Sequence, residues 1–157
     1  MGQPRTVSVF LAALLLLGGC GGMPPEATTP LGGNSDPALD AHFAHWAGTP
    51  YSYGGSSPAG VDCSGFVQAS FAYVYGVQLP RTTHEQRRSG RDISPEQLQA
   101  GDLVFFSIED RDSHVGIYLG DGQFMHASSR RGVVRDRLGT RYWWPRLSAT
   151  VRVLSQS

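Results

Sequence analysis

The spacing of hydrophobic positions changes near the middle of the chain. Before residue 80 it is helical. Asp36-Pro37 offers an N-cap and a first-turn proline, Leu39, Phe43, Trp46 and Ala47 follow at helical intervals, and Gly48 can end the helix. Residues 48–60 form a Gly/Ser/Pro loop. Asp62 can then cap a second helix over 63–75, with Phe66, Val67, Ser70, Phe71 and Val74 marking one face and Gly76 closing it. Thr82 with Glu85 suits a capping box on a short third helix, and Ser94-Pro95 suits a further turn. From residue 102 the pattern becomes that of strands. Segments 102–108, 114–119, 123–127, 132–137 and 150–154 are short, rich in Val, Ile and Phe, and separated by turn signals such as Gly120-Asp121-Gly122. Helices first and strands second predict an α+β domain, a helical half packed on an antiparallel sheet.

The N-terminus has a different character. Arg5 precedes an eleven-residue apolar run, 7–17. As a helix that run would span roughly 16 Å, too short for a ~30 Å hydrocarbon core, so it reads as the apolar part of a signal peptide. It ends in Leu17-Gly18-Gly19-Cys20, which resembles a bacterial lipobox. The expected organisation is a lipoprotein signal over 1–19, a lipidated Cys20 and flexible tether over 20–35, and one folded domain over 36–157. Gly21 is not the aspartate associated with inner-membrane retention, so a lipid anchor in the outer membrane, facing the periplasm, is expected.

Charge narrows the function classes. The chain carries 13 basic and 13 acidic residues, and every basic residue is an arginine. Zero net charge argues against a general nucleic-acid binder. The one local surplus is Arg130, Arg131, Arg135, Arg137 and Arg141, which reads either as a solvated rim or as a patch that meets carboxylates on an anionic substrate.

Two cysteines in an exported protein would ordinarily suggest a disulfide. With Cys20 consumed by lipid, Cys63 is left as a free thiol in an oxidising compartment. It stands at a predicted helix start, where the helix dipole favours a thiolate, and catalysis is a good reason to keep it. A thiol nucleophile needs an imidazole. His114 opens one predicted strand and His126 lies within the next, so antiparallel pairing can bring the two rings together, one as base and the other holding it. His42, His45 and His84 read as surface residues. A cysteine with two histidines could also ligate zinc, but a structural site wants four ligands and catalytic sites show tighter spacing.

Six segments then match a known pattern in order: residues 48–55 (Gly-Thr-Pro-Tyr-Ser-Tyr-Gly-Gly), 62–67 (Asp-Cys-Ser-Gly-Phe-Val), 79–82 (Leu-Pro-Arg-Thr), 101–106 (Gly-Asp-Leu-Val-Phe-Phe), 114–118 (His-Val-Gly-Ile-Tyr) and His126-Ala127. Together they resemble the NlpC-type peptidoglycan endopeptidases over residues 38–153. The resemblance implies a papain-like fold and a Cys63–His114–His126 triad. It also implies an oxyanion-assisting Tyr51, for which the Cys63 backbone N–H at a helix start can be a second donor. Asp62 and Ser64 flank the nucleophile and can line the cleft. Asp62 has helix capping as its other reading. The implied substrate is murein stem peptide, either its D-alanyl–diaminopimelate cross-link or its γ-D-glutamyl–diamino acid bond. A small lipid-anchored layout favours the former. No cofactor, metal or nucleic acid is implied, a monomer is expected, and no regulatory partner is legible. Two rivals share the fold: a catalytically silent wall-binding lipoprotein, and an amidase or acyltransferase of related chemistry.

Overall fold

The computed structural model describes Gly2, residues 35–109 and residues 111–154, with only the backbone described at 111–113. Helix α1, Pro37–Trp46, starts where Asp36 accepts a hydrogen bond from the Ala38 N–H at 2.9 Å. Helix α2, Cys63–Tyr75, is capped by Asp62, whose carboxylate accepts from the Gly65 N–H at 2.7 Å, and ends at Gly76 in the left-handed region, φ 67°. Helix α3 is one turn, Thr83–Gln86. The Thr82 hydroxyl accepts from the Glu85 N–H and donates to the Glu85 carboxylate, so the expected box closes through side chains. Among the described residues no helix is long and apolar enough to cross a membrane.

The loop after α1 contains a short hairpin, β1 (Ser56–Ser57) with β2 (Gly60–Val61). The main sheet has six antiparallel strands: β3 (Arg91–Asp92), β4 (Leu103–Ile108), β5 (Arg111–Gly120), β6 (Gln123–Ser128), β7 (Gly132–Arg137) and β8 (Leu147–Arg152). Their order is β3-β8-β4-β5-β6-β7. The α+β architecture is as expected, but several strand ends differ. β5 begins at Arg111 because Arg111 pairs with Ile108 across the β4 turn, and pairing needs no apolar side chain. β8 begins at Leu147 because that residue pairs with Phe106, and it ends at Arg152. β1, β2 and β3 carry too few residues to show a period.

The continuous apolar run of β4 is explained by burial on both faces. Leu103 and Phe105 join Phe66, Val67 and Phe71 of α2 in one cluster. Val104 and Phe106 join Tyr118, Phe124, Leu138 and Trp143 in a second, on the opposite face. Helices cover the first face, and the segments around residues 93–98 and 138–147 cover the second.

His42 corrects one expectation. It is 5% exposed, not on the surface. It lies on the α1 stripe with Leu39 and Trp46, its ring 6.3 Å from that of Phe66, and its Nε2 meets the Ser70 hydroxyl at 3.1 Å. That one bond lets an imidazole sit in an apolar interface.

Candidate active site

Cys63 is the first residue of α2, and the start of that helix is tightly fixed. Both Arg81 terminal nitrogens donate to the Asp62 carboxylate, at 2.9 and 2.8 Å, and Arg81 also donates to the Ser64 hydroxyl and the Gly55 carbonyl. The Gly54 N–H adds a further bond to Asp62 at 2.9 Å. Burial alone would raise the Asp62 carboxyl, but Arg81 and the Gly65 and Gly54 N–H groups outweigh it and hold it below its ordinary value. A Cβ at Gly65 would collide with the Gly55 carbonyl and crowd Asp62 and Arg81, so only glycine fits the third helical position.

The imidazoles come from the sheet. His114 on β5, His126 on β6 and Asp136 on β7 alternate out of the helix-covered face, toward Phe106, Phe124 and Trp143. Asp136 pairs with Phe124, one diagonal step from His126. Gly116 makes the histidine contact possible: a Cβ there would lie 2.7 Å from the Phe124 ring and 3.3 Å from the His126 Cβ. His114 Nε2 meets His126 Nδ1 at 2.8 Å, and His126 Nε2 meets Asp136 Oδ2 at 3.0 Å.

Cys63, His114, His126 and Tyr51 line one cavity of about 800 Å³, together with Asp136, Trp143, Arg130, Arg131 and Arg137. Four of the expected site residues therefore meet at a single opening. Asp62 and Ser64 are not among its lining residues; they face Arg81 and fix the helix start. The arginine surplus divides. Three line the cavity, Arg135 binds Asp40 at 2.8 Å and lies over the Phe43 ring, and Arg141 is exposed elsewhere. A second cavity of about 280 Å³, near Arg87, Asp92 and Thr150, contains neither cysteine nor histidine. Cys20 lies outside the described residues.

Electrostatics correct another expectation. Cys63 is 7% exposed, and burial pushes its thiol up rather than down. The Val115 N–H, the Thr83 hydroxyl and the Ser64 N–H oppose that rise without cancelling it. Burial, reinforced by the charge of a neighbouring His126, pushes His114 down to about 3, with Asp136 opposing. Burial therefore favours the neutral thiol of Cys63 and the neutral imidazole of His114. Burial also lowers His126, against Asp136. Asp136 itself is held well below the carboxylate range, first by the His126 bond and, despite burial, by Arg131 and Trp143. Tyr51 is raised by burial and then by the negative charge a Cys63 thiolate would carry.

Sequence reasoning missed Asp136 and Arg81. Arg81 stood in a matched motif without a role. Asp136 sits between Arg135 and Arg137, where a lone acid reads as a solvated charge; only the β6–β7 register brings it to His126.

A model of the NlpC/P60 family matches residues 48–152. The chain belongs to the NlpC/P60 family. The murein DD-endopeptidase MepS/murein LD-carboxypeptidase of Escherichia coli (strain K12) is 45% identical over 115 residues, which cover 73% of this chain and 61% of that one. A NlpC/P60 family protein from Bacillus cereus ATCC 10987 superposes with a TM-score of 0.68 at 31% identity, over 78% of this chain and 42% of that one. RipD of Mycobacterium tuberculosis, described as a non-catalytic NlpC/p60 domain protein adapted to peptidoglycan binding, superposes with a TM-score of 0.62 at 27% identity, over 75% of this chain and 96% of that one. The chain spans 57% and 61% of the length of two curated relatives that it matches. The family read from the motifs and its α+β fold are both borne out.

The buried imidazoles set the pH dependence of stability. His42, His114 and His126 are all lowered from 6.5, so the unfolded chain takes up protons that the native state refuses. Stability from keeping them neutral is fully present above the unfolded value and is lost as pH falls below it. The melting temperature, followed by circular dichroism from about pH 7.5 to about pH 4.5, should fall steadily below about pH 6.5. A melting temperature that is flat or rises on acidification contradicts the buried neutral assignment.

Proposed function

We propose that this protein is a murein endopeptidase that hydrolyses stem-peptide bonds through a Cys63 thioester, with His114 as general base and His126 as its orienting partner. One observation carries the reading: Cys63 and the hydrogen-bonded His114–His126 pair open onto the same cavity. The DD-endopeptidase activity named for the relative from Escherichia coli supports the D-alanyl–diaminopimelate cross-link as the bond cut.

In this mechanism the Cys63 sulfur attacks the scissile carbonyl as His114 takes the thiol proton. His114 then returns that proton to the leaving amine, and water hydrolyses the thioester by the same base. The developing oxyanion is received at the start of α2, by the Cys63 N–H and the Tyr51 hydroxyl. Arg130 and Arg137, at the cavity, offer positive charge to the carboxylates of an anionic stem peptide. The silent-binder reading, which RipD represents within the family, is disfavoured because both Cys63 and His114 are present and share the cavity.

The lipid anchor belongs to the same proposal. Cys20 carries the acyl chains, and a tether of r.m.s. span roughly 20 Å holds the cleft near the inner-facing wall layer at the outer membrane.

Murein digested by the wild type should release fragments that chromatography and mass spectrometry resolve as peptide-bond products, with cross-linked dimers converted to monomers. Cys63→Ser should lower kcat/KM by about 10⁴-fold or more, and His114→Ala should be more damaging than His126→Ala. Near-normal digestion by Cys63→Ser sinks the nucleophile assignment, a tenfold greater loss in His126→Ala reverses the histidine roles, and fragments cut after γ-D-glutamate replace the bond assignment.

The anchor is tested by fractionating cells that express wild type or Cys20→Ala. The wild type should sediment with outer membranes and the variant should not. Equal retention of both would overturn the lipobox reading.

A further inference from the structure

We propose that Asp136 is a positioning residue that fixes the tautomers of both site histidines, so that His114 presents an unprotonated Nδ1 to receive the thiol proton. The inference rests on the cysteine-peptidase reading above and deepens it. A neutral imidazole has one N–H and one lone pair, whereas an ionised carboxylate only accepts. Asp136 Oδ2 receives three nitrogens: His126 Nε2 at 3.0 Å, Arg131 at 2.6 Å and the Trp143 indole at 3.0 Å. The guanidinium and the indole can only donate. Three donors converging on one oxygen require an ionised acceptor there, and His126 Nε2 must carry its hydrogen.

The rest follows in order. With its hydrogen on Nε2, His126 has its lone pair on Nδ1. His114 Nε2, 2.8 Å away, must then be the donor of that bond. The remaining nitrogen of His114, Nδ1, is left with a lone pair. Without an acceptor at position 136 the histidine pair could invert, His126 Nδ1–H donating to His114 Nε2, for the same number of hydrogen bonds between the rings. The inverted pair has a hydrogen on His114 Nδ1 and cannot accept the thiol proton.

The proton balance is simple. The S–H bond breaks, a new N–H forms at Nδ1, and His114 becomes an imidazolium that keeps donating its Nε2–H to His126. No second proton moves. The Asp136 charge, through His126, stabilises the cation until the same proton passes to the leaving amine.

The test is long-range proton–nitrogen correlation spectroscopy of full-length protein labelled with nitrogen-15 in histidine, together with steady-state kinetics. In wild type at neutral pH, His114 and His126 should both show the Nε2–H tautomer. Asp136→Ala should populate Nδ1–H on His114 and lower kcat by roughly 100-fold or more, with KM little changed. Asp136→Asn should keep the Nε2–H tautomers, because Arg131 and Trp143 hold the amide oxygen where Oδ2 was, and should lose less activity than the alanine variant. An Nδ1–H signal for His114 in wild type overturns the proposal, whether or not the alanine variant folds. So does an Asp136→Ala variant with unchanged tautomers or unchanged kcat. The wild-type spectrum is read without substrate, so it separates this failure from an error in the bond assigned to the enzyme.

Discussion

A buried imidazole is held by the hydrogen bonds its ring nitrogens make, and in this molecule two such rings are linked in series to one carboxylate. His114 and His126 are 8% and 1% exposed. In a low-dielectric interior an unpartnered nitrogen costs about 1–3 kcal/mol, so the bonds from His114 to His126 and from His126 to Asp136 hold the rings in place as well as orienting them. The chain solves the problem with three successive antiparallel strands. Their pleat directs the three side chains out of the same face, and the missing side chain at Gly116 lets the rings meet.

Cys63, the proposed nucleophile, is positioned by a separate device. Asp62, tied to Arg81 and to the N–H groups of Gly54 and Gly65, fixes the first turn of α2 independently of the sheet. Cys63 is carried on that turn to the Val115 N–H, beside His114 in the chain. A hydrogen-bonded helix start and a hydrogen-bonded line of strand side chains thus open onto one cavity, the preorganisation that the proposed acyl transfer needs. Burial favours the neutral forms of the Cys63 thiol and the His114 imidazole, so in the proposed mechanism the proton moves as the sulfur attacks.

Much of this was legible in the residues. Asp62 before an apolar helical face and Gly76 after it bounded α2, and Val- and Phe-rich runs marked the central strands. The turn at 120–122 placed His114 and His126 on neighbouring strands. What stayed hidden depended on register or burial. Asp136 looked like one charge among arginines until β7 was paired with β6, and His42 looked exposed until α1 was laid on α2. The thiol was expected to ionise because the helix dipole is visible in the chain, whereas its desolvation is visible only in the fold. The edge strand β3 and the β1–β2 hairpin are held by backbone pairing that leaves little pattern in side chains.

The central claim is a covalent intermediate on Cys63. Purified protein mixed with a cross-linked murein peptide and quenched in acid within its first turnover can be read by intact mass spectrometry and peptide mapping. A mass increase equal to the acyl half of the substrate, located on the peptide containing Cys63 and removed by hydroxylamine, is the predicted result. Turnover without any adduct at Cys63, or an adduct on another residue, would contradict the account.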